Sequence, residues 1–380
     1  MLRYWTAGES HGKALVAIVD GFPAGVEIDC ASIDAELLRR QGGYGRGGRQ
    51  RIETDRAELL SGIWQNRTIG SPIALQIINR DAKLERMTDL DRPRPGHADL
   101  AGAIKYLSSI RGVLERASAR ETAARVAVGA LAKLLLREFN ITAVGYVVEL
   151  GGVRVDAPPD ADPRGMVQRR DASAIYSLVP ERDDEFRSMI DAAGKAGDTL
   201  GGVVEVQVFG VPIGLGTHTQ WDRKLDGRIA QAVMSIQAIK GVEIGLGFEA
   251  ARRPGSQVHD PIRFDPAVAG GPSLGFTRPT NNAGGLEGGT TNGQPVVVRA
   301  AMKPISTLRK PLESVNLKTR APEEAAYERS DVCAVSAAGV IVENVVAFEI
   351  AAALVEKFGN DSLTEMKARS ELYLQLARQR

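Results

Sequence analysis

Two stretches of the chain are apolar around the whole circumference of a helix, and they constrain the fold most. One carries Ala123, Ala124, Val126, Ala127, Val128, Ala130, Leu131, Leu134 and Leu135. The other is Val340 to Phe358 (VIVENVVAFEIAAALVEKF), closed by Gly359. A helix without a polar stripe must be covered on every side. Leu225 to Ile239 is a third, less apolar helical stretch, and alternating runs such as Val203 to Phe209 read as strands that supply the cover. Sheets on both sides of buried helices make a layered α+β arrangement.

The remaining elements fit that frame. Leu2 to Thr6, Leu15 to Asp20 and Ile73 to Ile78 read as strands, and Ser32 to Gln41 as a helix stopped by Gly42-Gly43. A helix is expected from about Ala98, with Leu100, Ala103, Ile104 and Leu107 on one face. Ser118-Ala-Arg-Glu121 has capping-box spacing and is expected to open the first all-apolar helix, running to about Glu138. Residues 156–184 are rich in Pro and Asp, and the helix after them carries Phe186, Met189, Ile190 and Ala193. The stretch of about 156–196 reads as a peripheral excursion from a single domain spanning 1–380.

Charge excludes several functions. With 48 basic against 47 acidic residues, bulk electrostatics points neither to nucleic acid nor to a membrane surface. Cys30 and Cys333 stand alone and far apart, so no disulfide framework or zinc spacing exists. The first residues, MLRYWTAGESHG, are not expected to act as a signal peptide, and no apolar run is expected to approach the ~20 residues that span a bilayer. A cytoplasmic, globular protein is expected, without a metal.

Arg278 to Thr307 reads as a ligand cradle. NNAGGLEGG gives freely placed backbone N–H groups, Gln294 to Arg299 is a strand, and Met302 to Thr307 returns with one cation and two hydroxyls. Gly8-Glu-Ser-His-Gly12 matches the spacing of a nucleophile elbow, but the β-branched run after it denies Ser10 the helix that an elbow needs. His11, between small residues on a loop, is suited to proton transfer near neutral pH. GYGRGG at 43–48 follows a helix, the wrong order for a dinucleotide fold. Its glycines instead present Arg39, Arg40, Arg46, Arg49 and Arg51, whose forks suit a ligand with several anionic groups. A solvated basic loop paired with Glu53 and Asp55, or an RGG-type RNA contact, are the alternatives. Arg92-Pro-Arg-Pro-Gly-His97-Ala-Asp99 sets two arginines and a histidine at a helix entrance, either as an anion site or as a plain entry turn. Arg116-Ala-Ser-Ala-Arg120 repeats the theme before a buried helix, and Asp331 precedes the other, where an N-cap is the simpler use.

These motifs together, GESHG, RRQGGYGRGGR, RPGHADL, RASARETAARVAVGALAK, QWDRKLD, NNAGGLEGG, KPIST and ERSDVCAV, resemble the chorismate synthases in order and over nearly the whole chain. Val332 and Ser336 stand where that family commonly has proline. The resemblance implies a β-α-β sandwich assembled as a homotetramer, and a lyase of the shikimate pathway. It would convert 5-enolpyruvylshikimate 3-phosphate to chorismate and phosphate by anti-1,4-elimination with reduced FMN, with NADPH entering only as a reductant of that flavin. Neither nucleic acid nor a membrane is an implied partner. It assigns proton chemistry to His11, His97 and Asp331. Substrate binding falls on Ser10, Arg40, Arg46, Arg49, Arg94, Ser118, Arg120 and Arg329. Flavin contacts fall on Arg116, Ala117, Ser118, Gln237, Ala238, Gly288, Lys303, Pro304, Ile305, Ser306, Thr307 and Arg329.

Overall fold

The computed structural model describes residues 1–48, 52–156, 162–328 and 330–380. Arg49, Arg51 and Arg329 lie outside these residues. Ten helices occur among the described residues: α1 (Cys30–Gln41), α2 (Asp99–Tyr106), α3 (Ile110–Ala117), α4 (Thr122–Arg137), α5 (Pro163–Ala172), α6 (Asp183–Lys195), α7 (Leu225–Met234), the single turn α8 (Gly255–Val258), α9 (Val335–Phe358) and α10 (Leu363–Ala377).

Two antiparallel sheets enclose the central helices. The first runs Arg3–Ala7, Ala14–Asp20, Ile73–Ile78 and Glu58–Leu59 in spatial order. The second runs Ile239–Ile244, Val296–Met302, Gly202–Phe209, Thr142–Leu150 and Val153–Arg154. Strand alternation turns Leu15, Ala17 and Val19 of the first sheet and Val204, Val206 and Val208 of the second toward the interior. Between them α4 packs on α9 and reaches both sheets, while α9 lies against the second. The protein is thus an α+β sandwich with its apolar helices in the middle layer. Their all-round hydrophobicity is satisfied by protein on every side.

α9 corrects one expectation. Among the described residues it is the helix long and apolar enough to cross a bilayer, yet that apolar stretch is buried inside the fold. Its interior also holds charge. Glu343 is fully buried and meets Arg39 at 2.9 Å, Lys133 at 2.5 Å, Arg170 at 3.3 Å and the Gly145 N–H at 2.9 Å. Arg170 comes from α5 and lies buried, as do Phe186 and Ile190 of α6, so the 156–196 stretch sends side chains into the interior.

Three local expectations differ. The Leu100, Ile104 and Leu107 face of α2 is turned outward and only Ala103 is buried. α2 packs on α3 through its small residues, Gly102 lying directly against Val113, so the large side chains face away. α4 begins at Thr122 after a 3-10 turn, and Ser118 accepts from Arg120 N–H at 3.3 Å. Glu121 bonds Thr6 and Arg125 and does not close a capping box. α7 stops at Met234, five residues early, because the chain turns sharply through Ala238 at φ +67° into the next strand.

Candidate active site

The Arg3–Ala7 and Ala14–Asp20 strands form a hairpin, so Ser10 and His11 sit at its tip. No helix follows Ser10, and the elbow geometry of a serine hydrolase is absent there. Gly8, at φ +103°, is required: a Cβ would fall 2.3 Å from the Ala14 carbonyl oxygen. Asn79 braces the tip by donating to the Glu9 carbonyl at 3.0 Å and the Gly12 carbonyl at 2.8 Å. Arg116, at the end of α3, donates outward to the carbonyls of Gly8 and Thr6 at 3.1 and 2.9 Å.

Beneath this tip lies a cavity of about 720 Å³, and it gathers most of the residues singled out in the sequence. Ser10, His11, Arg40, Arg46, Arg94, His97, Ala117, Ser118, Arg120, Gln237, Ala238, Asp331 and the whole Lys303, Pro304, Ile305, Ser306, Thr307 return line it. Two expected flavin contacts do not. Arg116 spends its guanidinium on the back of the hairpin. Gly288 sits in the two-stranded turn around Leu286–Thr291, near His218, and the glycine cradle lines a separate surface hollow at Asn282 and Ala283. The run NNAGGLEGG carries close backbone packing: a Cβ on Gly284 would fall 2.4 Å from the Gly245 nitrogen and one on Gly245 2.5 Å from the Gly284 nitrogen, leaving no room for side chains.

One wall is cationic. Arg120 donates to both Asp55 oxygens at 2.7 Å and to Asn79 at 2.9 Å, while Arg40 donates to Thr122 and the Ala119 carbonyl at 2.9 Å each. Arg40 Nη1, Arg46 Nε and Arg120 Nη2 are buried with no hydrogen-bond partner among the described residues. Burial, against the pull of Asp55 and with the repulsion of Arg120 and Arg46, pushes the Arg40 guanidinium below its ordinary pKa. Buried donors left unmatched are costly, and an anion with several oxygens would satisfy them. Asp331 accepts from the Gly47 N–H at 2.6 Å and pairs with Arg46 at 2.9 Å. It is not an N-cap: α9 starts beyond it at Val335 with no side-chain cap. Gly43 to Gly48 therefore folds inward against Ser330 to Cys333, where Val332 N–H meets the Gly45 carbonyl at 2.9 Å. An inward loop does not suit an RGG-type RNA contact.

The opposite wall carries His97. Its Nδ1 stands 2.5 Å from Asp99 Oδ1, and Arg94 donates to the same carboxylate through its backbone N–H at 3.0 Å and its Nε at 2.8 Å. Arg94 Nη1 also reaches Thr307 at 2.9 Å, joining this turn to the Lys303–Thr307 return. Burial alone would raise the Asp99 carboxyl, but the bonds from His97 and Arg94 outweigh it and hold it well below the carboxylate range. Lys303 donates to the Gly96 carbonyl, and burial, aided by Lys240, lowers its pKa. On the floor, Gln237 gives its Nε2 to Glu121 at 3.3 Å while its buried Oε1 has no donor among the described residues.

A depressed carboxyl contributes stability that is complete above its unfolded pKa of about 4 and is lost as pH falls through the lower folded value. Asp99→Asn removes that contribution. It should therefore lower the unfolding free energy at pH 7 by about 2 kcal/mol for a charge-assisted cluster, read as a lower urea midpoint, and shrink the difference between the pH 7 and pH 3 midpoints. Identical pH dependence in variant and wild type would refute this assignment.

Sequence reasoning missed Glu115, Asn79 and the role of Asp99, and it named Asp55 as a partner of the arginine loop but not of Arg120. Asp99 was visible two residues from His97, but the others are brought in from distant elements with no spacing signal.

A family model described as chorismate synthase matches residues 2–355. The chorismate synthase of Geobacter metallireducens is 55% identical over the full length of both chains, and that of Trichlorobacter lovleyi 56% identical over 98% of each. A crystal structure of chorismate synthase superimposes with a TM-score of 0.82 at 46% identity, covering 100% of this chain and 99% of the other.

Proposed function

The chain belongs to the chorismate synthase family, a lyase family of the shikimate pathway, and from that premise we propose that its cavity converts 5-enolpyruvylshikimate 3-phosphate to chorismate with reduced FMN. The observation that carries the reading is the placing of three guanidinium nitrogens without a hydrogen-bond partner among the described residues, from Arg40, Arg46 and Arg120, around a cavity lined by two carboxylate-backed histidines.

The substrate carries two carboxylates and a phosphate. Arginine forks bind such groups bidentately, so Arg40, Arg46, Arg94 and Arg120 hold and orient the anion, and Ser10 and Ser118, whose hydroxyls lie 3.1 Å apart, add neutral donors. Arg49 and Arg329 belong to the same proposed set. In the elimination the C3–O bond breaks with its electron pair leaving on phosphate, a proton leaves C6, and the ring gains a double bond. His11 donates to the departing phosphate, whose charge otherwise makes it a poor leaving group. His97 keeps its Nδ1 proton on Asp99, which leaves Nε2 as the atom that gives or takes a proton. Asp331, oriented by Arg46 and the Gly47 N–H, is a carboxylate set to assist removal of the C6 proton.

The cavity suits a flavin on its own evidence. The unmatched Gln237 Oε1 calls for an N–H donor, and Ala238 lines the cavity in a left-handed backbone conformation. Ala117, Ser118, Gln237, Ala238 and Lys303 to Thr307 would hold it. What reduced FMN supplies when bound is transient electron density and a basic N5, with no net redox change. The outward apolar face of α2, with Ile104 and Leu107 exposed, supports assembly into a homotetramer, which we place in the cytoplasm.

Under strict anaerobiosis, substoichiometric reduced FMN should support many turnovers and remain reduced at the end. Oxidation of one flavin per chorismate, or full activity with oxidised FMN and no reductant, would overturn the reading. Binding of FMN itself, followed by fluorescence quenching, should weaken in Gln237→Ala.

A further inference from the structure

Taking His11 as the acid of the proposed reaction, we propose that Glu115 is the positioning residue that fixes which ring nitrogen of His11 delivers the proton. Glu115 lies on α3, two residues before the Ala117–Ser118 turn, and its side chain is 1% exposed. Both of its carboxylate oxygens serve one residue. Oε1 stands 2.9 Å from His11 Nδ1, and Oε2 accepts the His11 backbone N–H at 2.7 Å. The Glu115 carbonyl accepts the Ser10 N–H at 2.9 Å. One helical residue therefore sets the main chain and the ring at the hairpin tip.

An ionised carboxylate only accepts hydrogen bonds. Burial would raise the Glu115 carboxyl, but the bonds from the His11 ring and amide hold it below its ordinary value. The proton facing it therefore belongs to Nδ1, and a half-turn of the ring would break the 2.9 Å contact. Nε2 is left as the nitrogen whose proton varies. It stands 3.7 Å from Asp81, which like His11 lines the cavity and pairs with Lys83 at 2.8 Å. Arg111 is a further nearby charge, 3.8 Å from Glu115 and bonded to Glu328 at 3.0 Å. The step balances. The C–O bond breaks, phosphate departs with the electron pair and the Nε2 proton, and a neutral ring remains with its Nδ1 proton on Glu115. Solvent restores the Nε2 proton before the next turnover.

The test compares wild type, Glu115→Gln and His11→Ala in the anaerobic assay with reduced FMN, across pH. Glu115→Gln preserves shape but removes the charge that favours the protonated ring. Its kcat should fall about 10- to 100-fold, the weight of a partner that orients a ring nitrogen, with little change in KM. The alkaline limb of its kcat profile should move to lower pH by about one unit, the effect of losing an adjacent opposite charge. A kcat profile like wild type in Glu115→Gln, with His11→Ala inactive, overturns this proposal and leaves the proposed function standing. Wild-type turnover in His11→Ala removes both. Should Glu115→Gln fail to fold, ring ¹⁵N spectra of the wild type decide, with the His11 signals assigned by their loss in His11→Ala. A neutral ring protonated at Nδ1 supports the proposal, and one protonated at Nε2 overturns it.

Discussion

His11→Ala should lower kcat by roughly 10²- to 10⁴-fold, the usual weight of a positioned acid, while FMN and substrate still bind. The ring lies at a loop tip and makes little core contact, so its removal should not unfold the chain. Its loss does leave the Glu115 carboxylate with one bond fewer, but the His11 main-chain N–H at 2.7 Å remains to satisfy it. In the proposed function substrate affinity rests on the arginines, which are anchored by Asp55, Asn79 and Thr122 and not by the histidine. Turnover therefore falls without a matching rise in KM, the signature of an interaction made in the transition state. Measurement under saturating reduced FMN, with fluorescence titration of flavin as control, separates the two. Wild-type kcat across the pH range would exclude the acid role.

The largest stability effect should come from the middle layer. Among the described residues, Glu343→Gln leaves Arg39 and Lys133 sharing Glu36 as their one remaining carboxylate and Arg170 with Asp171 alone, so three partly or fully buried cations lose the charge on which they converge. Breaking a buried ion cluster from one side costs about 3–5 kcal/mol, because the surviving charges remain desolvated. That is a large share of the 5–15 kcal/mol by which a typical domain is stable. Burial opposes ionisation of Glu343, but Arg39, Lys133 and Arg170 in turn outweigh it and hold its pKa well below the ordinary range. Its contribution is accordingly full above about pH 4.5 and is lost as pH falls through the folded value. Urea midpoints for wild type and Glu343→Gln should differ strongly at pH 7 and converge in acid. Equal midpoints at pH 7 would show that the cluster contributes nothing net.

Much of this was readable from the chain because the strongest signals were periodic. Helices apolar all round can only be interior, and α4 and α9 are. Three strands of the first sheet and two of the second were read from the chain, with Ile73–Ile78 at its expected span, whereas the nine-residue strand Thr142–Leu150 was not. Failures arose where packing overrode pattern. The large residues of α2 looked like a buried face, yet Gly102 and Ala103 make the contact with α3 and push Leu100 and Ile104 outward. Composition likewise suggested that NNAGGLEGG cradles a ligand, whereas its glycines are needed for backbone to meet backbone. At the site, single residues of the right chemistry could be picked out, such as His11 and Arg120. Their partners could not, since Glu115 reaches His11 across 104 positions and Asp55 reaches Arg120 across 65.

The strand order of the second sheet, in which Val296–Met302 inserts between Ile239–Ile244 and Gly202–Phe209, has a bearing on how the chain can be divided. His11 and Arg40 come from the first tenth or so of the sequence, His97 and Arg120 from the first third, and the Lys303–Thr307 return and Asp331 from the last quarter. Fragments cut anywhere between Thr142–Leu150 and that inserted strand would each lack part of the cavity lining and part of the second sheet. Such topology pays its loop-closure entropy before the long-range pairings form, and the order of events should be slow folding with ligand affinity appearing only at the end. Neither half should hold flavin alone, and only co-folding of the two, with Val296–Met302 docked, should restore it.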